Sequence, residues 1–211
     1  MDSPKVAAIV LAAGKGTRMR STLPKVMHAV GGRPMIDHLM QTIADAAIKR
    51  VVVVVSPDMA DPAGWSSQAE IAVQDRALGT GHAAKCAGPA LKGFSGTVLV
   101  LFGADPLVSA ETLSRLIAAR GGPNPPALVV LGFVPVDPGQ YGRLVVDAEN
   151  RLDRIVEYWD ADEQTRSIPL CNSGVIAADA QVLFSLLDRL GNDNAKHEYY
   201  LTDIVGMARR E

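Results

Sequence analysis

Cysteine is scarce in this sequence. Cys86 and Cys171 are the only two, far apart and in no CxxC pair. That excludes a disulfide framework and disfavours a structural zinc site, which needs more ligands than two separated thiols supply. Both are expected as reduced, buried thiols of a cytoplasmic protein. Aromatic residues are also few, at 5%. The core must therefore come from Val, Ala, Leu and Ile, which favours helices packed closely on a sheet. No apolar run reaches the roughly eighteen residues that a membrane span needs, so no membrane insertion is expected. The run over 6–13 is too short, and lacks the basic flank of a signal peptide. Neither sign of charge dominates: Lys and Arg number 21, Asp and Glu 23. A dedicated nucleic-acid binder would need a basic stripe, so none is expected, although a local basic cluster remains open.

What is present is alternation. Residues 6–11 form a short continuous apolar run, as does the five-valine stretch 51–55, and 98–102 repeats the pattern. Such runs mark strands buried on both faces. Between them, 34–48 has helical spacing with Pro34 at its start, and 109–120 follows Ser109 as N-cap. Residues 128–134 make the next strand. This order predicts an α/β fold, a Rossmann-like mixed but mostly parallel sheet with helices on both faces. Ligands would bind beyond the carboxyl ends of its strands. Later, 143–146 and 152–157 flank a turn and predict a hairpin. A strand over 169–177 and helices over 180–190 and 199–209 complete the chain. With 211 residues, a single domain is expected.

The loop after the first strand carries the first chemical signal. It reads Leu11-Ala12-Ala13-Gly14-Lys15-Gly16-Thr17-Arg18-Met19, followed by Leu23-Pro24-Lys25. Small residues allow close backbone approach, and successive N–H groups can cradle phosphate. Arg18 and Lys25 add positive charge. The loop matches neither a Walker A motif nor GxGxxG. Its glycines alone fit an ordinary strand-to-helix turn equally well; the two cations favour an anion site.

Further motifs follow in order: Gln74 ahead of Leu78-Gly79-Thr80-Gly81-His82-Ala83, then Tyr141-Gly142-Arg143, Ile155-Val156-Glu157, Asn172-Ser173-Gly174 and Glu198-Tyr199-Tyr200-Leu201-Thr202-Asp203. With the glycine-rich loop, this set resembles the sugar-1-phosphate nucleotidyltransferases. More closely, it is similar to the uridylyltransferase domain of the bacterial N-acetylglucosamine-1-phosphate uridylyltransferases, across nearly the whole chain.

The resemblance implies the nucleotide-diphospho-sugar transferase fold, with 1–135 as a nucleotide half and 136–211 as a sugar half. It implies UTP and N-acetylglucosamine 1-phosphate as substrates and Mg2+ as cofactor, in cytoplasmic synthesis of a cell-wall and lipopolysaccharide precursor. A homo-oligomer stays open. Leu11, Ala12, Ala13, Gly14, Gly16 and Thr17 would hold the nucleotide, together with Phe102, Gly103 and Ala104. Gln74 would read the uracil edge beside Gly79 and Thr80. Gly142, Glu157, Asn172 and Thr202 would line the sugar pocket. Arg18 and Lys25 would stabilise the charge that builds up at the phosphates. His82 is expected as a helix residue and not as a ligand.

The chain departs from this family at two places. Ala104 stands where the family has a metal-binding Asp, and Asp105 comes one residue later. Asp105 is the candidate metal ligand, or else a turn residue before Pro106. The chain also ends at Glu211, so the family's later Asn ligand and acetyltransferase β-helix are not expected. Two other readings remain: a nucleotidyltransferase for a different sugar 1-phosphate, and a UDP-sugar-binding module with an impaired metal site.

Overall fold

The computed structural model describes residues 5–14, 16, 19–59 and 64–211. Thr17 and Arg18, two of the expected site residues, lie outside the described residues.

In chain order, the first elements are β1 (Val6–Leu11), β2 (Ala29–Val30), β3 (Arg33–Pro34), α1 (Met35–Asp45), β4 (Arg50–Val55) and β5 (Glu70–Val73). Then come α2 (Thr80–Cys86), β6 (Thr97–Phe102), α3 (Ala110–Arg120), β7 (Leu128–Phe133) and β8 (Arg143–Val146). The last are β9 (Leu152–Val156), α4 (Glu163–Arg166), β10 (Cys171–Asp179), α5 (Ala180–Asp188) and α6 (Asp203–Arg210).

Eight strands form one mixed sheet, and β2 pairs only with β3. One half is parallel: β1 lies between β4 and β6, and β5 continues beyond β4. The other half is built from antiparallel pairs. The far end of β10 is antiparallel to both β6 and β7, while its first residue, Cys171, pairs with Arg143 of β8. β8 and β9 form the expected hairpin.

Period-two alternation splits β1 between two cores. Ala7, Ile9 and Leu11 face α2, α5 and α6, whereas Ala8 and Val10 face α1 and α3. Helices thus cover both faces, which explains why β1 and β4 are apolar almost throughout. The core is aliphatic, as the composition predicts, with Trp65 as its large aromatic exception at 2% exposure. The Trp65 indole N–H donates to the Asp37 carboxylate (3.2 Å). Cys171 is buried, but Cys86 is only half-buried.

Several boundaries differ from expectation. The helix expected over 34–48 is α1, Met35–Asp45; it ends early because Ala47 takes a left-handed conformation (φ +57°). The strand expected over 169–177 is β10, shifted two residues onward. The helix expected from 199 begins at Asp203. Tyr199 is instead held by backbone bonds around the start of α2: its N–H donates to Leu78 O, and its carbonyl accepts from Gly81 N–H (both 2.8 Å). Ser109 caps α3 as expected, accepting from Thr112 N–H (3.1 Å).

Candidate functional site

A cavity of 460 Å3 opens at the carboxyl ends of the parallel strands, where such sheets bind ligands. Leu11, Ala13, Gly14 and Gly16 reach it from the loop after β1, and Lys25 and Val26 from the next turn. Gln74, Gly79 and Thr80 come from the segment between β5 and α2, and Phe102 and Ala104 from the end of β6. Ala12 and Gly103 do not line it. The Ala12 N–H donates to Val54 O (2.8 Å) and the Gly103 N–H to Leu11 O (3.0 Å). Those two amides tie the strand ends together and are not offered to a ligand.

Glycine at 16 has a physical cause. Its φ is +59°, and a Cβ there would lie 2.7 Å from Lys25 Cβ. The tight approach delivers Lys25 to the cavity. Pro24 precedes a 3-10 turn over Lys25–Met27, which the Met27 N–H closes by donating to Pro24 O (2.9 Å). Lys25 also borders a second cavity of 640 Å3, with Met19, Gln140 and Tyr141. At Gly14 a Cβ would meet no atom, so the missing side chain leaves open space beside the cavity.

The loop from Gln74 to Thr80 is held equally firmly. Gly79 has φ +114°, and a Cβ would lie 2.6 Å from Tyr199 O. Thr80 Oγ1 accepts from Leu201 N–H (3.0 Å). Gln74, only 6% exposed, donates through Nε2 to Gly79 O (3.1 Å) and approaches His82 Nδ1 (3.0 Å). His82 sits in the first turn of α2, so its expected helical placement holds, but it also contacts Gln74.

The four expected sugar-side residues form a second group. The Asn172 N–H donates to Gly142 O (2.8 Å). A Cβ on Gly142 would lie 3.6 Å from Glu157 Oε2. The Thr202 hydroxyl donates to Glu157 Oε1 (3.0 Å). Burial pushes the Glu157 carboxyl above its usual range, and the Thr202 hydrogen bond pulls the other way. Asn172 Oδ1 accepts from Gly174 N–H (3.0 Å). Arg143 is buried and holds this corner, donating to Gly139 O (3.1 Å), Arg166 O (3.2 Å) and Tyr141 O. The two groups adjoin: a Cβ on Gly174 would strike the Phe102 ring at 2.4 Å.

Asp105 stands just beyond Ala104, with its N–H closing a turn onto Phe102 O (3.0 Å). Burial raises its carboxyl pKa, and the charge of Lys25 opposes that rise. Ala104 lines the cavity; Asp105 does not. Among the described residues, no group of three or more His, Cys, Asp or Glu could hold a metal ion. A divalent ion would therefore need oxygens from a bound phosphate beside Asp105. That fits the habit of Mg2+, which takes one or two carboxylates together with substrate phosphates.

Glu198 also lines the cavity, and its charge helps raise Glu157. Its motif was visible in the sequence, but its direction was not. The contact of His82 with Gln74 crosses a loop and has no periodic signature.

Residues 8–169 match the MobA-like NTP transferase domain. The chain belongs to that family. This MobA-like NTP transferase chain is similar to the bifunctional protein GlmU of Paramagnetospirillum magneticum, 54% identical over 211 residues, covering 100% of this chain and 47% of that protein. The Rhodospirillum rubrum GlmU is 54% identical over 205 residues, covering 97% and 46%. The chain thus spans about half the length of the curated relatives it matches. A solved UDP-glucose pyrophosphorylase, complexed with UDP-glucose, shares the fold: the TM-score is 0.74 at 17% identity, covering 97% of this chain and 87% of that one. No helix among the described residues is long and apolar enough to cross a membrane.

Proposed function

We propose that this chain transfers UMP from UTP to N-acetylglucosamine 1-phosphate, giving UDP-N-acetylglucosamine and pyrophosphate. The observation that carries the reading is the meeting of two groups at one strand end. A glycine-lined cavity with Lys25 and Gln74 adjoins a pocket built around the Glu157–Thr202 hydrogen bond. The GlmU relatives support the sugar, and the pyrophosphorylase likeness supports the fold that carries it. On this reading residues 1–135 hold the nucleotide, residues 136–211 hold the sugar, and the substrates are small molecules of the cytoplasm.

A phosphate oxygen of the sugar attacks the α-phosphorus of UTP. The bond from that phosphorus to the β-phosphate bridge breaks, and pyrophosphate leaves. The nucleophile is already anionic, so no general base is needed. What remains is alignment and neutralisation of charge. On this reading Lys25, which lines the cavity, meets the reacting phosphates, and Arg18 serves the leaving pyrophosphate. Gln74 takes the uracil edge. Glu157 accepts from sugar hydroxyls, with Asn172 donating through its NH2. Asp105 would hold Mg2+ together with phosphate oxygens, and that ion would offset the charge of the polyphosphate.

A second reading has its own observation. Ala104, which cannot bind metal, occupies the cavity wall, as in a module that binds UDP-sugar without turnover. Pyrophosphate release from UTP and N-acetylglucosamine 1-phosphate, with magnesium and with excess chelator, separates the two. Release that needs magnesium supports the transferase. Binding of UDP-N-acetylglucosamine without release supports the module.

A further inference from the structure

Both amide hydrogens of Gln74 are engaged. Nε2 lies 3.1 Å from Gly79 O and 3.0 Å from His82 Nδ1. A backbone carbonyl only accepts, so Gly79 settles which end of the amide is nitrogen. His82 Nδ1 is then an acceptor as well, with the ring proton on Nε2. The amide oxygen is what Gln74 has left to offer the cavity. We propose that His82 is a positioning residue that holds the Gln74 oxygen toward the base, selecting a pyrimidine whose facing edge carries a ring N–H. Uracil has that group at N3; cytosine has a lone pair there. The inference rests on the proposed nucleotide site and deepens it.

The surroundings make this lock effective. Gln74 is nearly buried, so turning the amide over would set its oxygen against Gly79 O and leave polar atoms unpaired, which is costly away from water. Both ends are anchored. Gln74 follows β5 directly, its N–H donating to Val55 O (2.8 Å), and α2 is pinned at Gly81 to Tyr199 O (2.8 Å). On the side away from the nucleotide, His82 and Tyr199 line a separate cavity of 560 Å3, with their ring centroids 6.4 Å apart. His82 thus supports Gln74 from behind while staying outside the lining of the nucleotide cavity.

The test compares UTP and CTP dissociation constants on the 211-residue chain by calorimetry, for the parent, His82→Leu and His82→Asn. Asn Oδ1 falls where the ring Nδ1 was and still accepts; Leu places a methyl group there. The preference for UTP over CTP should fall about tenfold in His82→Leu, the scale of one polar contact in a specificity pocket. It should persist in His82→Asn. Both variants lose the ring beside Tyr199, so a mere packing role would move both alike. An unchanged preference in His82→Leu, or an equal loss in both variants, overturns the inference and leaves the proposed function standing. Absence of UTP binding by the parent overturns the proposed function and this inference with it. Nitrogen-15 shifts of the His82 ring give a check that needs no variant: a proton on Nε2 supports the lock, and a proton on Nδ1 overturns it.

Discussion

The two sides of the cleft are built by different means. At the ends of β1 and β6 the wall is mostly backbone. Gly16 and Gly79 sit where a Cβ would collide with Lys25 or with Tyr199, and the buried amides of Ala12 and Gly103 bind strand ends to one another. Around β8, β9 and β10 the wall is side chain: Glu157, Thr202 and Asn172, each in a specific hydrogen bond. A backbone-built wall cannot change without disturbing the sheet that carries it. A wall built from side chains can be altered one group at a time. Function and stability should therefore be linked on the proposed nucleotide side and separable on the proposed sugar side.

The largest effect tests Lys25, an exposed charged side chain on the backbone-built side. Lys25→Ala should slow pyrophosphate release by about 2–4 kcal/mol of barrier, the scale of losing one electrostatic donor. Its melting temperature should stay close to the parent's, since Lys25 is exposed. A near-normal rate would remove Lys25 from the mechanism.

Gly79→Ala is the sharper test of the link between stability and function. The substitution forces a side chain into φ +114° and onto backbone at 2.6 Å. A loss of up to about 3 kcal/mol in unfolding free energy is expected from the backbone strain, accompanied by loss of UTP binding. Denaturant unfolding measures the first and calorimetry the second. Intact stability with lost binding would break the comparison on this side.

Glu157→Gln tests the opposite side. Losing a charged acceptor should weaken sugar-phosphate binding by about 2 kcal/mol. Its effect on stability should have the other sign. Burial raises the Glu157 carboxyl, so ionising it in the folded state costs stability. That cost is absent below the ordinary carboxylate range and grows as pH rises through the raised value. The variant should therefore match or exceed the parent's melting temperature at pH 7, and the gap should close near about pH 4. A lower melting temperature at pH 7 would falsify the separation.

Ser109→Ala is the smallest and serves as a reference. It removes the cap of α3 and should cost about 1 kcal/mol of stability with nucleotide affinity unchanged. Any change in UTP binding would show that α3 communicates with the site.

Much of this was legible in the chain itself. Continuous apolar runs marked β1, β4 and β6, because a strand covered on both faces has no polar side to show. Ser109 marked the start of α3. The ordered motifs named residues that do converge: Gln74, Gly79 and Thr80 in one cavity, Gly142 and Glu157 beside Thr202. Ala12 and Gly103, expected at the ligand, have their amides bonded to neighbouring strands; a sequence motif does not say which way an N–H points. The helix expected from 199 failed for a related reason. Residues 199–201 are tied to Leu78, Thr80 and Gly81 at the start of α2, and no local pattern reports a partner 121 residues away.

The sequence by itself determined the alternation of strands and helices, the aliphatic core and the residue types available to the cleft, because periodicity, propensity and glycine placement act over short stretches of chain. Tertiary structure alone decided the reversal of the sheet at β10, the burial that raises Glu157 and the direction in which Gln74 presents its amide. The first two depend on residues distant in sequence, and the third on Gly79 and His82, which lie across a loop from Gln74; only the packed fold brings such partners together.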